Sequence, residues 1–580
     1  MIKRLCVAIL LFLFCFSQSL SAALTVDISG VPEDLQQALR DNLSILKYQT
    51  YALQSDTRMY LLYNQGKSEI TAALQPYGYY RATVTARLKA SDHQDWQVEY
   101  QVDPGAQLTI GQLKIQIEGP GQDDPNLINT LKHLPLKPGA PLLHENYESA
   151  KDQLLSTAVA DGYFEAKLSQ HQIDLDLNQY TSKIVLTLVT GPRYQVGKIT
   201  FQQHALPYQE SFLQRFLNIK TGQPYQAGLV SQLQANLSSS QYFSQVFVAA
   251  KPDENSKTVA INIQLTSKKA QQYTVGAGYG TDTKLRGLLG WNLSHITDTG
   301  QHFSAQISAS ALYSQFTANY IIPGKNPLTD STSLNASQSY ITVVPYNATL
   351  TGFGADYIQQ LGKWQRDIGI HQYFVDYSTP SVPSANAHYL LPSIRGLYDG
   401  TYAAGYWAQG YTLTLNAQTA VAGAFSNFNF LQGTANYNYS LPFTASDRFF
   451  VQVNAGATAV NSVNDLPPTL RFYAGGVDSV RGYSYDSLGP TDSNGNLLGG
   501  IYLLTTNFNY EHHLFGNWSG IVFYDTGNAF NTFNDIDPQS GAGVGISWRS
   551  PVGPFRLYIS QALDTPGRPW RVDFSIGARL

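Results

Sequence analysis

The residues with the most distinctive chemistry are an arginine in a glycine-rich stretch and two acids that follow it. Arg481 is flanked by Val480 and Gly482, and the same stretch contains Gly475, Gly476 and Tyr483. An arginine removed from water needs a carboxylate in fork geometry, and the glycines suit close packing of backbone against a wall. Asp525 is the first candidate partner and Glu511, on the polar face of a predicted strand, the second. The alternative is a surface turn with a solvated arginine.

No other group of residues predicts catalysis or a metal site. His512 and His513 are adjacent, so on a strand they point to opposite faces, and no third ligand stands nearby in the sequence. Neither a nucleophile motif nor a phosphate-binding loop is present. We therefore expect a protein that is not an enzyme and that uses no metal and no cofactor.

The elements that must position Arg481 are strands. From about residue 271 onwards, period-2 alternation recurs between clusters of turn residues, as in 303–313 and 449–458. The apolar rows carry many Tyr and Trp, which is typical of a transmembrane barrel rather than of a soluble sandwich. Residues 269–580 allow about 16 antiparallel strands, and Pro380, Pro383 and Pro392 predict one long loop between them.

The last predicted strand indicates how such a barrel closes. A spanning sheet cannot leave an edge in hydrocarbon, so Trp570–Leu580 must pair with the first strand, predicted over Tyr273–Tyr279. Glycines at positions 276, 278 and 280 weaken that first strand. We predict a weakly paired lateral seam whose edges template an incoming strand. Its residues are Tyr273, Val275, Gly276, Gly278, Phe574, Ile576 and Leu580.

Residues 1–23 predict a signal peptide and therefore export. Lys3 and Arg4 precede an apolar segment, and small residues follow it; both cysteines, Cys6 and Cys15, lie inside this segment. Without Lys3 and Arg4, the chain has 35 basic and 41 acidic residues. Because the sequence has no basic stripe suited to phosphates, nucleic acid is not an expected partner.

Residues 24–268 predict three repeated modules, at 24–104, 105–190 and 191–268. Gly105–Gly111 aligns with Gly191–Gly197, and a second landmark recurs as Gly78-Tyr79-Tyr80, Gly162-Tyr163-Phe164 and Gln241-Tyr242-Phe243. Each unit predicts the order strand, helix, helix, strand, strand. The edge of such a small sheet can accept an extended partner strand, although a plain spacer role is the alternative.

These repeats resemble the POTRA domain, a periplasmic polypeptide-binding module that precedes certain outer-membrane barrels. The stretch Arg471–Tyr483 resembles the signature loop of the BamA/TamA superfamily, and Phe523–Ala529 and Gly541–Pro554 resemble later motifs of that superfamily. The resemblance implies that the loop folds into the lumen, where its arginine meets an acid on the inner wall. It also implies an outer-membrane location with the POTRA domains in the periplasm.

Within this superfamily, three POTRA domains without a preceding plug helix resemble the TamA family. That resemblance implies assembly of outer-membrane proteins such as autotransporters, with a TamB-like inner-membrane-anchored partner, unfolded outer-membrane protein substrates and contact with outer-membrane lipid. Two other functions stay open at this point. A two-partner secretion transporter would export one dedicated exoprotein through the barrel, and a diffusion porin would need an open lumen.

Overall fold

The computed structural model describes residues 24–577 except 53, 91–94 and 552. The predicted signal peptide and Leu580 lie outside the described residues. The chain forms two compact units. The first holds the described residues up to Ile199 together with Ile219–Val230 and Ala250–Ile261, and the second holds Thr200–Asn218, Ser231–Ala249 and the chain from Asn262 onwards.

Three small sheets, each covered by helices, occupy the N-terminal part of the chain. The first module consists of β1 (Leu24–Ser29), α1 (Glu33–Asn42), α2 (Ser44–Lys47), α3 (Gln49–Ala52), α4 (Asp56–Leu74), β2 (Thr83–Ala90) and β3 (Trp96–Asp103). Strand β3 lies between β1 and β2. The alternating residues Val98, Tyr100 and Val102 of β3 form the buried side of this sheet, so the core lies between sheet and helices.

The second and third modules repeat this plan with two α-helices each. The second consists of β4 (Thr109–Glu118), α5 (Pro125–His133), α6 (His144–Ala160), β5 (Lys167–Asp176) and β6 (Thr181–Val189). The third consists of β7 (Gln195–His204), α7 (Glu210–Leu213), α8 (Ala227–Ser239), β8 (Phe243–Asp253) and β9 (Thr258–Ser267). In each sheet the last strand is central. The second and third modules have the predicted β-α-α-β-β order, and the first has two further short helices, α2 and α3, between the same strands.

The two recurring landmarks bind each other at the junctions of the modules. The amide of Leu108 donates to the carbonyl of Gly78 over 2.8 Å, and the amide of Tyr194 donates to the carbonyl of Gly162 over 2.8 Å. Both glycines have left-handed φ angles of 87° and 92°, which ordinary residues rarely adopt. The landmarks therefore recur because they form the same junction twice.

Sixteen antiparallel strands form a closed barrel, which agrees with the predicted strand number. The strands are β10 (Gln271–Gly280), β11 (Lys284–Leu293), β12 (His302–Ala309), β13 (Tyr313–Pro323), β14 (Asp330–Val343), β15 (Tyr346–Leu361), β16 (Trp364–Ser378), β17 (Ala385–Asp399), β18 (Trp407–Ala420), β19 (Phe430–Pro442), β20 (Asp447–Ala459), β21 (Tyr502–Phe515), β22 (Trp518–Phe530), β23 (Gln539–Ser550), β24 (Gly553–Ala562) and β25 (Trp570–Gly577). We call the end at which β10 begins the near end and the other the far end.

The predicted long loop around the three prolines is wrong. Strand β17 already begins at Ala385, and Pro392 lies inside it opposite Ile370. Only the short connection between Ser378 and Ala385 remains as a loop. The alternating neighbours Tyr389 and Leu391 are buried in the barrel, so burial on the inner face outweighs the proline signal.

Helix α7 and its neighbours pack against the near end of the barrel within the second unit. The ring of Tyr208 lies 4.7 Å from that of His295, in the β11–β12 hairpin, and Gln209 bonds Asp298 in the same hairpin through its backbone and side chain. The ring of Phe212 occupies the space beside Gly300. This hairpin is therefore fixed to the third module.

Among the described residues, no helix combines the length and apolar character that membrane crossing requires. The same residues contain no group of three or more His, Cys, Asp or Glu side chains placed to hold a metal ion.

Candidate functional site: the lumen loop and the strand seam

The connection between β20 and β21, residues 460–501, turns back into the barrel. Its residue Arg481 is 3% exposed and contacts the inner faces of β21 and β22. Val480 and Tyr483 beside it are also buried. We call residues 471–501 the lumen loop. A charged side chain this deep in the barrel loses its hydration and must be compensated by the wall.

Asp525 on β22 receives Arg481 in a bidentate geometry. Arg481 Nε lies 2.6 Å from Asp525 Oδ2 and Nη2 lies 2.6 Å from Oδ1, while the Arg481 amide also donates to Oδ2 over 3.0 Å. Asn509 accepts from Nη2 over 2.7 Å. The guanidinium carbon lies 3.6 Å from the centre of the Phe523 ring, so its flat face is covered as well. This arrangement satisfies the fork geometry that an enclosed arginine requires.

Glu511, the second candidate, does not contact Arg481. It lies directly opposite Arg448 in the β20–β21 register and accepts from its Nη2 over 2.8 Å and from its Nε over 3.1 Å. This ion pair joins two neighbouring strands of the barrel wall, close to the end of the barrel at which β10 begins. Arg448 was not among the residues predicted from sequence, although its position on the lumen face of a strand, opposite an acid, is a signal for such a pair.

The loop glycines make the turn possible. Gly475, Gly476 and Gly482 have φ angles of 103°, 95° and 101°. A Cβ on Gly475 would lie 2.4 Å from the Ser484 carbonyl oxygen within the loop, and one on Gly482 would lie 3.0 Å from the Ala562 nitrogen of β24. A larger residue at Gly475 would therefore disturb the fold of the loop, and one at Gly482 would push the loop away from the wall.

A second obstruction lies in the near mouth of the barrel. After β17 the chain turns inward, and Trp407 at the start of β18 is 2% exposed. The guanidinium of Arg448 lies 4.4 Å from its ring and that of Arg549 lies 5.2 Å from it. Arg549 also donates to the carbonyl of Tyr406 over 2.9 Å, and the Tyr406 hydroxyl lies 3.2 Å from Ser519 Oγ. The turn is thus bonded to β22 and β23, several strands away.

Between these two obstructions the lumen retains a cavity of about 730 Å³, lined by Arg481, Asn507, Glu511, Arg549 and Arg556 among others. The loop closes it towards the far side and the Tyr406–Trp407 turn narrows its near mouth. The barrel is therefore not an open pore in this structure.

The seam between β10 and β25 is short. The described residues pair only at Gly278 with Gly577, Tyr279 with Ile576 and Gly280 with Ser575. On its other side, β10 pairs with β11 over ten residues, from Gln271 to Gly280. The paired positions all lie at the far end of β10. Residues 271–277, towards the near end, have no partner among the described residues of β25.

Ionic contacts hold the far end of this seam. Arg571 on β25 donates to Asp282, in the turn after β10, over 2.5 Å and to Asp573 over 2.8 Å. It also donates to Ser484 of the lumen loop over 3.0 Å. Arg571 therefore fastens the far end of the seam, and the lumen loop contributes one of its contacts. We call the contacts of Arg571 with Asp282 and Ser484 the far latch.

The predicted seam residues occupy different positions. Gly278 and Ile576 are in the paired segment, and Phe574 accepts from the Thr281 amide over 2.9 Å just beyond it. Tyr273, Val275 and Gly276 lie in the unpaired segment, where Tyr273 is 72% and Val275 77% exposed on the outer face. Leu580 lies outside the described residues.

Comparisons with known proteins agree with these features. Residues 296–580 match the Omp85 superfamily domain, residues 25–104 the POTRA domain of TamA, domain 1, and residues 194–268 the POTRA model described as a surface antigen variable number repeat. Assembly factor BamA of Nitratidesulfovibrio vulgaris is 30% identical over 138 residues, which are 22% of this chain and 17% of that protein.

BamA of Neisseria meningitidis is 23% identical over 585 residues, which cover 86% of this chain and 70% of that protein. Among solved structures, BamA from Haemophilus ducreyi lacking POTRA domains 1–3 has a TM-score of 0.67 at 17% identity, and the match covers 81% of this chain and 99% of that one. That likeness shows the same fold. Together these findings place the barrel in the outer membrane and the N-terminal modules in the periplasm, so the near end is the periplasmic end. The chain carries an Omp85 superfamily domain over residues 296–580, with POTRA domains ahead of its 16-strand barrel.

Proposed function

We propose that this protein inserts β-barrel substrates, such as autotransporters, into the outer membrane by pairing their strands with its own first barrel strand. The observation that carries the proposal is the seam, in which only the far end of β10 pairs with the described part of β25. Residues 271–277, which have no partner among the described residues of β25, lie towards the periplasmic end, the side from which unfolded substrates arrive.

An unpaired strand edge binds an extended chain through backbone groups, so it accepts many sequences. In hydrocarbon the drive to pair is strong, because no water can satisfy those groups. A substrate strand added at residues 271–277 would extend the sheet from the periplasmic end. The exposed side chains of Tyr273 and Val275 would then lie beside the incoming strand on the lipid face.

The far latch determines at which end of the seam pairing with a substrate strand starts. Arg571 holds β25 to Asp282 and to the lumen loop, while Arg481 fixes the loop to Asp525. Pairing with a substrate strand can therefore start at the periplasmic end, and the paired far segment separates last, when the substrate barrel is inserted. The lumen loop acts as a brace on the last strands rather than as a binding site for substrate.

The sharpest test is a reversible lock across the seam. Tyr279 and Ile576 are paired and Tyr279 faces lipid, so the double variant Y279C/I576C should form a disulfide. We expect the oxidised protein, reconstituted in liposomes, to lose insertion of an autotransporter barrel and to recover it on reduction. The matched control is A336C/F353C, a pair in register across β14 and β15. Insertion at the wild-type rate by the oxidised seam lock would contradict the proposal.

We further propose a TamA-type role with a TamB-like inner-membrane-anchored partner and with outer-membrane lipid around the seam. The match of residues 25–104 to the TamA domain 1 model and the number of POTRA modules support this assignment. Crosslinked pull-down of the full chain from native envelopes should recover a very large, β-rich, inner-membrane-anchored protein. Recovery of one secreted exoprotein instead would favour the two-partner secretion transporter.

A further inference from the structure

A shallow groove crosses the outer face of the barrel on strands β16 to β20, away from the seam. Its volume is about 690 Å³. Its floor consists of small residues; they include Gly396, Ala417, Gly433, Ala435 and Ala455. A Cβ on Gly433 would have no atom nearer than 3.9 Å, whereas one on Gly396 would lie 3.4 Å from the Trp364 ring. The Trp364 ring therefore covers Gly396, and the space above Gly433 is open.

The groove faces lipid rather than the lumen. Ile394 and Leu415, which border it, are 49% and 43% exposed, as expected for outward residues of a barrel whose lumen is filled. Alternation places Ala417, Gly433 and Ala435 on the same outer side. Small residues on a lipid-facing surface leave a depression in which another apolar group can lie closely.

One end of the groove carries a cation. Arg366 follows Trp364 by two residues and precedes Ile368 by two, and both neighbours are exposed on the outer face, at 39% and 45%, so Arg366 points outward too. Its Nη2 donates to Gln359, and its Nε has no hydrogen-bond partner although it is buried. Within the described residues, Arg366 forms no ion pair with a carboxylate. An arginine facing the membrane in this state requires an anion.

Arg366 lies at the depth of the lipid headgroups in the membrane. Strand β16 begins at Trp364 at the periplasmic end, and Trp is enriched where membrane meets water. Arg366 therefore lies just inside the periplasmic boundary, where a long basic side chain reaches the phosphates of the inner leaflet.

The register gives the groove its direction. Arg366 pairs with Gly396, Gly396 with Leu415, Leu415 with Ala435 and Ala435 with Ala455. Four strand spacings span about 19 Å, which exceeds the roughly 15 Å of one leaflet's hydrocarbon. Because the strands tilt, this line rises from the boundary towards the membrane centre. A chain that starts at Arg366 would thus run into the hydrocarbon over the small residues.

We propose that this groove binds one glycerophospholipid of the periplasmic leaflet, with its phosphate on Arg366 and one acyl chain along the floor. Charge complementarity selects this occupant, since an apolar groove with a guanidinium at its headgroup end matches a lipid that carries one phosphate. The site is independent of the seam and of the proposed insertion activity.

The test uses the full chain, delipidated in mild detergent and titrated with phosphatidylglycerol or phosphatidylethanolamine while native mass spectrometry counts bound lipid. The wild type should hold one phospholipid of either headgroup in preference to further ones. R366Q should bind it about tenfold more weakly, because a charged hydrogen-bond donor is lost, and A435W, which fills the groove, should not bind it.

Two variants serve as controls. R556Q removes an arginine at the same end of the barrel that lines the lumen, and V544W adds bulk at a lipid-facing residue on β23 that is 53% exposed. Both should bind like the wild type. If A435W does not show the heat-modifiable gel migration of a folded barrel, the smaller substitution A435L is tested in its place. Equal lipid binding by wild type, R366Q and A435W would overturn the proposal. So would a lipid-free dimer that A435W dissociates, which would make the groove an interface between copies.

Discussion

The seam and the β14–β15 wall are both antiparallel strand pairs of one barrel, yet they are built differently. Strands β14 and β15 pair over fourteen residues, from Asp330 to Val343. The described parts of β10 and β25 pair over three, and the rest of the connection consists of one backbone hydrogen bond between Thr281 and Phe574 and of the contacts of Arg571. The wall is held by backbone pairing along its length, whereas the described part of the seam is held mainly at its far end. Strand pairs of one barrel can therefore differ widely in how much backbone pairing joins them.

The largest effect should come from removing the charge that anchors the lumen loop. Asp525→Asn leaves Arg481 buried without its carboxylate, which costs about 3–5 kcal/mol where one partner of a buried pair is lost. Glu511→Gln is the matched control, since its pair joins two wall strands and Arg448 keeps its contact with Trp407. Hydrogen exchange should rise in the loop and in β25 for Asp525→Asn, while β14 and β15 stay protected. An equal rise of hydrogen exchange in β25 and in β14 and β15 would show that the lumen loop does not support the seam in particular.

A single methyl group should weaken the seam itself. In Gly577→Ala the new Cβ lies 2.3 Å from the Ala277 carbonyl oxygen, and the residue has a φ of 88°, a conformation that costs about 1–2 kcal/mol in L-residues. Gly287→Ala on the neighbouring strand β11 meets nothing within 4 Å and should be neutral. The rate of disulfide trapping between Y279C and I576C measures seam closure, and a slower rate is expected only for Gly577→Ala. Equal rates in both backgrounds would show that the seam does not depend on this contact.

The near mouth of the lumen should widen, without any change in the seam, when the near obstruction is removed. Trp407→Ala deletes the ring held by Arg448 and Arg549, contacts worth about 0.5–2 kcal/mol each. We expect a bulky thiol reagent added from the periplasmic side to modify a cysteine at Ser547, which lines the cavity, faster than without this substitution, and we expect an unchanged rate of substrate insertion. Trp291→Ala, on the lipid face of β11 with 38% exposure, is the control and should change neither. Loss of insertion in Trp407→Ala would show that substrate passes through the lumen.

The smallest effect concerns the junction of the second and third modules. Lys257 and then Tyr194 donate to the Glu165 carboxylate and lower its pKa, and the same contact raises the pKa of Lys257. A carboxyl with a lowered pKa stabilises the folded form above its unfolded pKa and loses this contribution as the pH falls below about 4. Lys257 loses its contribution only as the pH rises above about 10.

The protection factor of the Tyr194 amide, which corrects its exchange rate for the intrinsic pH dependence, should therefore be flat from neutral pH down to mildly acidic pH and fall at lower pH. Glu165→Gln should remove that step, while Glu99→Gln, which breaks a surface pair inside the first module, should keep it. A step that persists in Glu165→Gln would assign it to another group, such as Asp161, whose pKa burial raises.

Much of the fold follows from sequence because its signals are local or periodic. Alternation in β20 and β25 predicts strands, and the recurring Gly-Tyr landmarks predict module junctions. The need of Arg481 for an acidic partner was also predictable, since the resemblance of its loop implies a position inside the lumen, where an arginine needs a carboxylate. Which acid it meets depends on register: Asn507 faces Asp525 across β21 and β22, and Glu511 lies four residues further along, a distance that sequence does not measure.

Other parts of the site have no signal in the sequence from which they could be predicted. Trp407 and Arg549 are 142 residues apart in number and meet only because the turn before β18 bends inward. Among the described residues the seam pairs at three positions because of the stagger of β25 against β10. This stagger is set by the closure of the whole barrel and not by either strand alone. Pro392 misled the prediction for the opposite reason, because a strong local signal is overruled by the burial of its neighbours.

The attachment of α7 to the β11–β12 hairpin has a mechanical consequence. Tyr208 stacks on His295, Phe212 fills the space beside Gly300, and Arg215 donates to the carbonyl of Pro323 at the next turn. Strand β11 is the full-length neighbour of β10, so torque on this part of the third module is transmitted through the hairpin to the strand that pairs with the described part of β25 at only three positions. A substrate or partner that pulls on this module would then strain the seam without touching the membrane.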